Sequence, residues 1–414
     1  MDDLELIEAI NEKIKFNENI DGSLKALINL KSLQELFDLS CSNGQTETAL
    51  WLYELSKTDG NTKININDGD DYAFIRSCSN GHKGTAMWLY ELSKTDGNEK
   101  ININSFNCYA FRWSCSNGNK ETASWLYELS KTDGNTKINI NASDDGAFIM
   151  SCLNGHKETA LWLYELSKTD GNTKININAC DDKAFRWSCE NGHKKMALWL
   201  YELSKTDGNT KININALDDD AFRSSCKYGH KETAMWLYEL SKIDDNTKIN
   251  INIFNEQAFR WSCENGHKET VMWLYGLSKT DDNTKININV ENDEAFRWSC
   301  SNGHAETILW LCSLYPKYKF TNDENNEIDY IIITDNNDDI DKYAFEYNIQ
   351  MLLLKDGYLK INNKTESHNE RKRFYQIIKN IPLDLTQKIS YILCGSSKTI
   401  IKSTTFNRLF NNKN

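Results

Sequence analysis

Apolar and polar positions along most of this chain follow a helical spacing that breaks and restarts at a fixed interval. In Ala184-Phe185-Arg186-Trp187-Ser188-Cys189, Phe185, Ser188 and Cys189 fall at i, i+3 and i+4, which puts them on one face of a first helix. Asn191-Gly192 then ends that helix, since glycine supplies the left-handed residue a helix terminus wants. A second helix follows, with Ala197, Trp199, Leu200 and Leu203 expected to be buried. Ser204-Lys205-Thr206-Asp207-Gly208-Asn209 marks its end, Asp-Gly being a strong turn signal. Ile212-Asn213-Ile214-Asn215 alternates apolar and polar like a short extended arm.

This unit recurs. Cys41, Cys78, Cys115, Cys152, Cys189, Cys226, Cys263 and Cys300 stand 37 residues apart, and so do the tryptophans from Trp51 to Trp310. The phenylalanines from Phe37 to Phe296 and the glycines from Gly44 to Gly303 keep the same step. Copies in strict register, without insertion or deletion, predict stacked structural repeats. The expected fold class is an all-α helical repeat solenoid of about eight units. The expected organisation is an N-terminal helical cap (1–34), the array (35–313), an acidic insertion (314–342) and a C-terminal helical cap (343–414).

The unit resembles an ankyrin repeat, whose period is about 33 residues and whose motif is Thr-Pro-Leu-His-x-Ala. Here that segment reads Ala-Phe-Arg-Trp-Ser-Cys in its commonest form, so Ala replaces Pro and Phe replaces Leu. The family's Gly-His turn is kept at His82, His156, His193, His230, His267 and His304, and altered at Gln45 and Asn119. The extra residues of each unit fall in the Lys-Thr-Asp-Gly-Asn-Thr-Lys segment. The Trp-Leu-Tyr second helices are similar to those of divergent ankyrin proteins of large DNA viruses that infect protists. The resemblance implies a protein-binding scaffold in the cytoplasm, the host's if the chain is viral, acting in host–virus interaction.

The copies differ most in the five residues after each arm. The resemblance implies that these are hairpin tips lining the binding side. Tyr72, Phe106, Tyr109, Asp145, Asp182, Asp219, Phe254 and Glu291 are the candidate partner-binding residues. Phe106, Tyr109 and Phe254 are the expected anchors, because aromatics carry much interface energy. A position two before each repeat cysteine also varies, and the tryptophans there (Trp113, Trp187, Trp261, Trp298) are expected to pack in the core between units.

Charge and chemistry refine this picture. The net charge is −12, but residues 343–414 hold 12 Lys+Arg against 5 Asp+Glu (+7), which leaves −19 for residues 1–342. An acidic body disfavours nucleic acid and suits a basic or neutral partner. No apolar run approaches the ~20 residues of a membrane span, and Met1-Asp2-Asp3-Leu4-Glu5 has no signal-peptide pattern, which favours the cytosol or nucleus. Cysteines spaced a full repeat apart are expected to be small core residues, neither paired nor metal-bound. The histidines are expected to brace their turns. Asp335–Asp341 lacks the glycine of a calcium loop, and Arg371-Lys372-Arg373 reads as a solvated face. With no phosphate loop or catalytic triad, no enzyme activity, cofactor or metal is expected.

Ile381-Pro382-Leu383-Asp384-Leu385, followed by Ile389 and Leu393, resembles the core of F-box motifs, which dock on a ubiquitin-ligase adaptor. Pro382, Leu385, Ile389 and Leu393 would carry that contact, making the chain a substrate-recruiting ligase subunit. Proline is also a common first residue of a plain capping helix, and the two readings stand side by side.

Overall fold

The computed structural model describes residues 2–15, 28 and 32–315, apart from 59, 96, 244–245 and 281–284, together with two strands at 318–322 and 328–332. After α1 (Asp3–Lys15), first and second helices alternate. The first helices are α2 (Leu33–Ser42), α4 (Asp68–Ser79), α6 (Ser105–Ser116), α8 (Ala142–Leu153), α10 (Ala179–Glu190), α12 (Ala216–Lys227), α14 (Ile253–Glu264) and α16 (Val290–Ser301). The second helices are α3 (Thr46–Ser56), α5 (Lys83–Leu92), α7 (Lys120–Leu129), α9 (Lys157–Ser167), α11 (Lys194–Ser204), α13 (Lys231–Leu240), α15 (Lys268–Thr280) and α17 (Ala305–Leu314). Contacts divide the chain into two compact units, 1–217 and 218–414, and each is described by itself. No described helix is long and apolar enough to cross a membrane.

Within the first unit, α2, α4, α6, α8 and α10 pack side by side in series, each against its own second helix, and α1 lies against α2 and α3. In the second unit α14 packs on α16 and α15 on α17. The expected helical repeat in series is therefore present. Among the described residues the exceptions to helix are β1 (Tyr318–Asn322) and β2 (Ile328–Ile332), an antiparallel pair inside the segment expected to be an acidic insertion. β1 lies beside α17 and β2 beside α16.

The spacing read from the sequence explains the core. Phe185, Ser188 and Cys189 are fully buried on one face of α10, as expected. The serine hydroxyl joins units: Ser188 Oγ lies 2.7 Å from Ala184 O in its own helix and 3.0 Å from Cys152 O in the preceding one. On the second helix the buried aromatic is Tyr201, while Trp199 and Leu203 are only half-buried. The i, i+3, i+4 count placed tryptophan in the core, but its ring lies between units: Trp88 meets Phe37 of the preceding unit at 6.1 Å, and Trp199 meets Phe148 at 6.3 Å.

The extra residues of each unit also work between neighbours. Tyr127 Oη donates to Asp170 Oδ2 (2.8 Å) and accepts from Asn172 Nδ2 (2.8 Å), both in the next unit's turn. Lys131, bonded to Glu128 in its own unit, also reaches Asp170 at 2.7 Å. The hydrogen bonds from Lys131 and Tyr127 hold the Asp170 carboxyl down to about 2. Asp170 and Gly171 both have positive φ (57° and 66°), which is why Asp-Gly stands there. The arm closes in the same way. Asn67 N–H bonds Asn65 Oδ1 at 3.1 Å, while Ile64 and Ile66 point inward.

Candidate partner-binding surface

No hairpin links arm to first helix among the described residues. Each link is instead one left-handed turn of three residues, such as Phe106 (φ 52°), Asn107 (54°) and Cys108 (58°), running straight into the helix. Left-handed backbone crowds Cβ against the carbonyl and suits mainly Gly, Asn and Asp. The middle residue is accordingly Asp70, Asn107, Asp144, Asp181, Asp218, Asn255 or Asn292 in successive units. A position expected to vary freely is therefore held to two residue types by its backbone.

The third residue of the turn corrects the candidate set. Asp145, Asp182 and Asp219 were expected at exposed tips, but they are only 7%, 6% and 6% exposed. Asp182 Oδ1 accepts from Asn178 Nδ2 (2.6 Å) in its own arm, and Oδ2 accepts from Asn213 N–H (2.9 Å) in the next arm. Asp145 does the same with Asn141 (2.6 Å) and Asn176 N–H (3.0 Å), and Asp219 accepts from Asn250 N–H (3.2 Å). Burial pushes the Asp145 and Asp182 carboxyls above the usual range, and the hydrogen bonds pull back. These carboxylates are staples between arms and are not available to a partner.

Arginine closes the turn from the helix side. Arg112 Nε donates to Asn107 O (2.8 Å) and Nη2 to Phe106 O (3.0 Å), and Arg260 repeats this with Asn255 and Phe254. Arg223 also bonds Gln257, and Arg260 pairs with Glu294, each the fifth turn residue of the following unit. Variation at that fifth position is thus partly matched to the neighbour and is not wholly a record of ligand contact.

What stays outward is the row of aromatic and aliphatic side chains. Phe106 is 58% exposed, Phe254 50% and Tyr72 46%, and Glu291 is also exposed. Tyr109 is half-buried, with its ring 5.6 Å from Trp113. The first-helix tryptophans expected in the core lie partly in solvent: Trp113 is 37% exposed, and Trp187, Trp261 and Trp298 are half-buried. Their helix position lies beside the turns, where cations cover Trp187, Trp261 and Trp298. Lys183 Nζ sits 4.0 Å from the Trp187 ring, and Lys227 lies 5.0 Å from Trp261. Arg223 lies between Phe254 (5.0 Å) and Trp261 (5.9 Å), so turn and first helix form one aromatic and cationic surface.

A second exposed row escaped the sequence reading. Leu50, Met87, Leu161 and Leu198 in the first unit, and Met235 and Met272 in the second, stand outward just before each repeat tryptophan. Their repeat spacing was visible in the sequence, but the apolar residues of that helix were all assigned to its core.

The repeat cysteines are free and buried, and burial pushes the Cys78 and Cys152 thiols up; Cys180 is exposed. Among the described residues no group of three or more His, Cys, Asp or Glu is placed to hold a metal ion. The histidines brace the preceding unit's turn more than their own. A Cβ on Gly118 would lie 2.5 Å from His156 Nδ1, and His304 Nε2 lies 2.8 Å from Glu264 O. Pro382, Leu385, Ile389 and Leu393 lie outside the described residues, as do Asp335–Asp341 and Arg371–Arg373.

No family model matches the chain, and no curated protein sequence matches it either.

Proposed function

We propose that the chain is an ankyrin-like scaffold that binds a partner protein through the left-handed turns and the first-helix face. The observation that carries this is the exposure of large aromatics, Phe106 above all, on turns whose backbone is held by an arginine fork. A rigid mount lets an aromatic anchor bury its area without a large ordering cost. The set of binding residues is Tyr72, Phe106, Tyr109, Phe254 and Glu291, joined by Trp113 and Trp261. The cytoplasm, the host's for a viral chain, is the proposed setting. The test is capture of partners from lysate by the full chain and by the Phe106→Ala/Phe254→Ala variant. Loss of the captured partner with an unchanged circular dichroism spectrum supports the reading, and undiminished capture refutes it.

A further inference from the structure

The histidines of the second unit stand at the N-termini of its second helices. His230 and His304 are the N-cap residues of α13 and α17, and His267 O accepts the first intrahelical bond of α15 from Val271 N–H (3.0 Å). All three therefore sit at the positive end of a helix, where a cation is disfavoured. The rings of His267 and His304 are also wedged. A Cβ on Gly229 would lie 2.4 Å from His267 Nδ1, and one on Gly266 would lie 2.5 Å from His304 Nδ1. The far side of the His267 and His304 rings is engaged with the preceding first helix. His304 Nε2 is 2.8 Å from Glu264 O, and His267 bonds the carbonyl of Lys227. A carbonyl accepts only, so Nε2 carries the proton and Nδ1 is left bare against a glycine. A second proton would place an N–H donor at Nδ1 on the face packed against that glycine's backbone.

His267 stands between the other two in the column. Burial is the main cause that lowers the His230 and His267 pKa values, and His267 is lowered further by His230 and His304 on either side. The surrounding charges answer this only in part. Glu232 and Glu269 lie on the same helices, and each raises its neighbouring histidine less than burial lowers it. Glu306 is bridged by Lys268 at 2.8 Å. Lys227 lies over Tyr228 and Trp261, and the half-buried Glu264 contributes its carbonyl.

We propose that His267 is an acid-sensitive wedge between its own turn and the one before it, closed while the ring is neutral and parted when it is protonated. The sign follows from the lowered folded value. The stabilisation from His267 is complete above the ordinary histidine value of 6.5 and is lost as pH falls through the lower folded one. The chain carries its own contrast, since His82 has Gln45 and Asn119 as column neighbours. Asn119 also shows what a non-titrating replacement looks like, with its Nδ2 donating to Ser79 O at 2.7 Å.

The test is amide hydrogen exchange on the full chain at ~pH 7.5 and ~pH 5.5, corrected for intrinsic rates. Turn amides around Gly229, against which His267 is wedged, are expected to open several-fold more readily at the lower pH. Amides around Gly81 should change less, and the His230→Asn/His267→Asn/His304→Asn variant should lose the response. Equal corrected protection at both pH values, or a response that survives in the variant, overturns the proposal. If that variant does not fold, an NMR titration of wild-type His267 decides, and a value at or above 6.5 overturns it.

Discussion

Asp145→Ala separates a staple from a binding residue. The carboxylate holds Asn141 Nδ2 at 2.6 Å and the next arm's Asn176 N–H at 3.0 Å. A hydrogen bond to a charged group contributes about 1.5–3 kcal/mol, and desolvation of this buried carboxylate offsets part of that, so the net loss is about 1–3 kcal/mol. Alanine must also adopt φ 60°, which adds about 1 kcal/mol. The expected destabilisation is therefore about 2–4 kcal/mol, read as a lower urea midpoint at unchanged slope. Asp145→Asn keeps an acceptor for Asn176 and tolerates the left-handed backbone, so it should stay within about 1 kcal/mol of wild type. The pH dependence has a definite sign. The raised Asp145 pKa means that the fold favours the protonated carboxyl, so the pH-linked part of its contribution is complete below the ordinary 3.8 and lost as pH rises through the folded value, while the hydrogen bonds remain. Wild type should therefore gain on Asp145→Asn as pH falls. An Asp145→Ala midpoint equal to wild type would refute the staple.

Two further outcomes follow from the contacts between units. Tyr127→Phe removes the hydroxyl that meets Asp170 and Asn172. It should cost about 0.5–1.5 kcal/mol in denaturant unfolding, and no change would show that the clamp is decorative. Gly134→Ala meets nothing within 4 Å but must hold φ 69°, so it should destabilise by about 1 kcal/mol through backbone alone. A neutral thermal melt would contradict that reading of the Asp-Gly turn.

The repeat, its two helices and the turn between them were legible because glycine, cysteine and the i, i+3, i+4 spacing act locally. Gly192 does end α10 with φ 73°, and Cys189 is fully buried. What misled was the inference from variation to exposure. Asp145, Asp182 and Asp219 differ from Cys108 and Glu256 at the same position, yet all of these are buried, because each is matched to partners in the arms. Such matching links residues about one repeat apart and has no local period to detect. Trp199 and Tyr201 were misassigned for a related reason. A helical wheel shows which side of one helix is apolar, but here the tryptophan faces the preceding unit while the tyrosine fills its own. The exposure of Phe106 and Phe254 was legible because large apolar residues on a turn have little to bury against.

The central claim, that partners bind at the turns and first-helix face, is tested most directly by quantitative capture with matched variants of the two exposed rows. Phe106→Ala/Phe254→Ala should lose the partner, while Leu161→Ala/Leu198→Ala on the second-helix row should retain it at the wild-type level, with helicity equal in all three. Loss of the partner on the second-helix substitutions, with full retention on the turn substitutions, would place the binding surface on the opposite row and contradict the account.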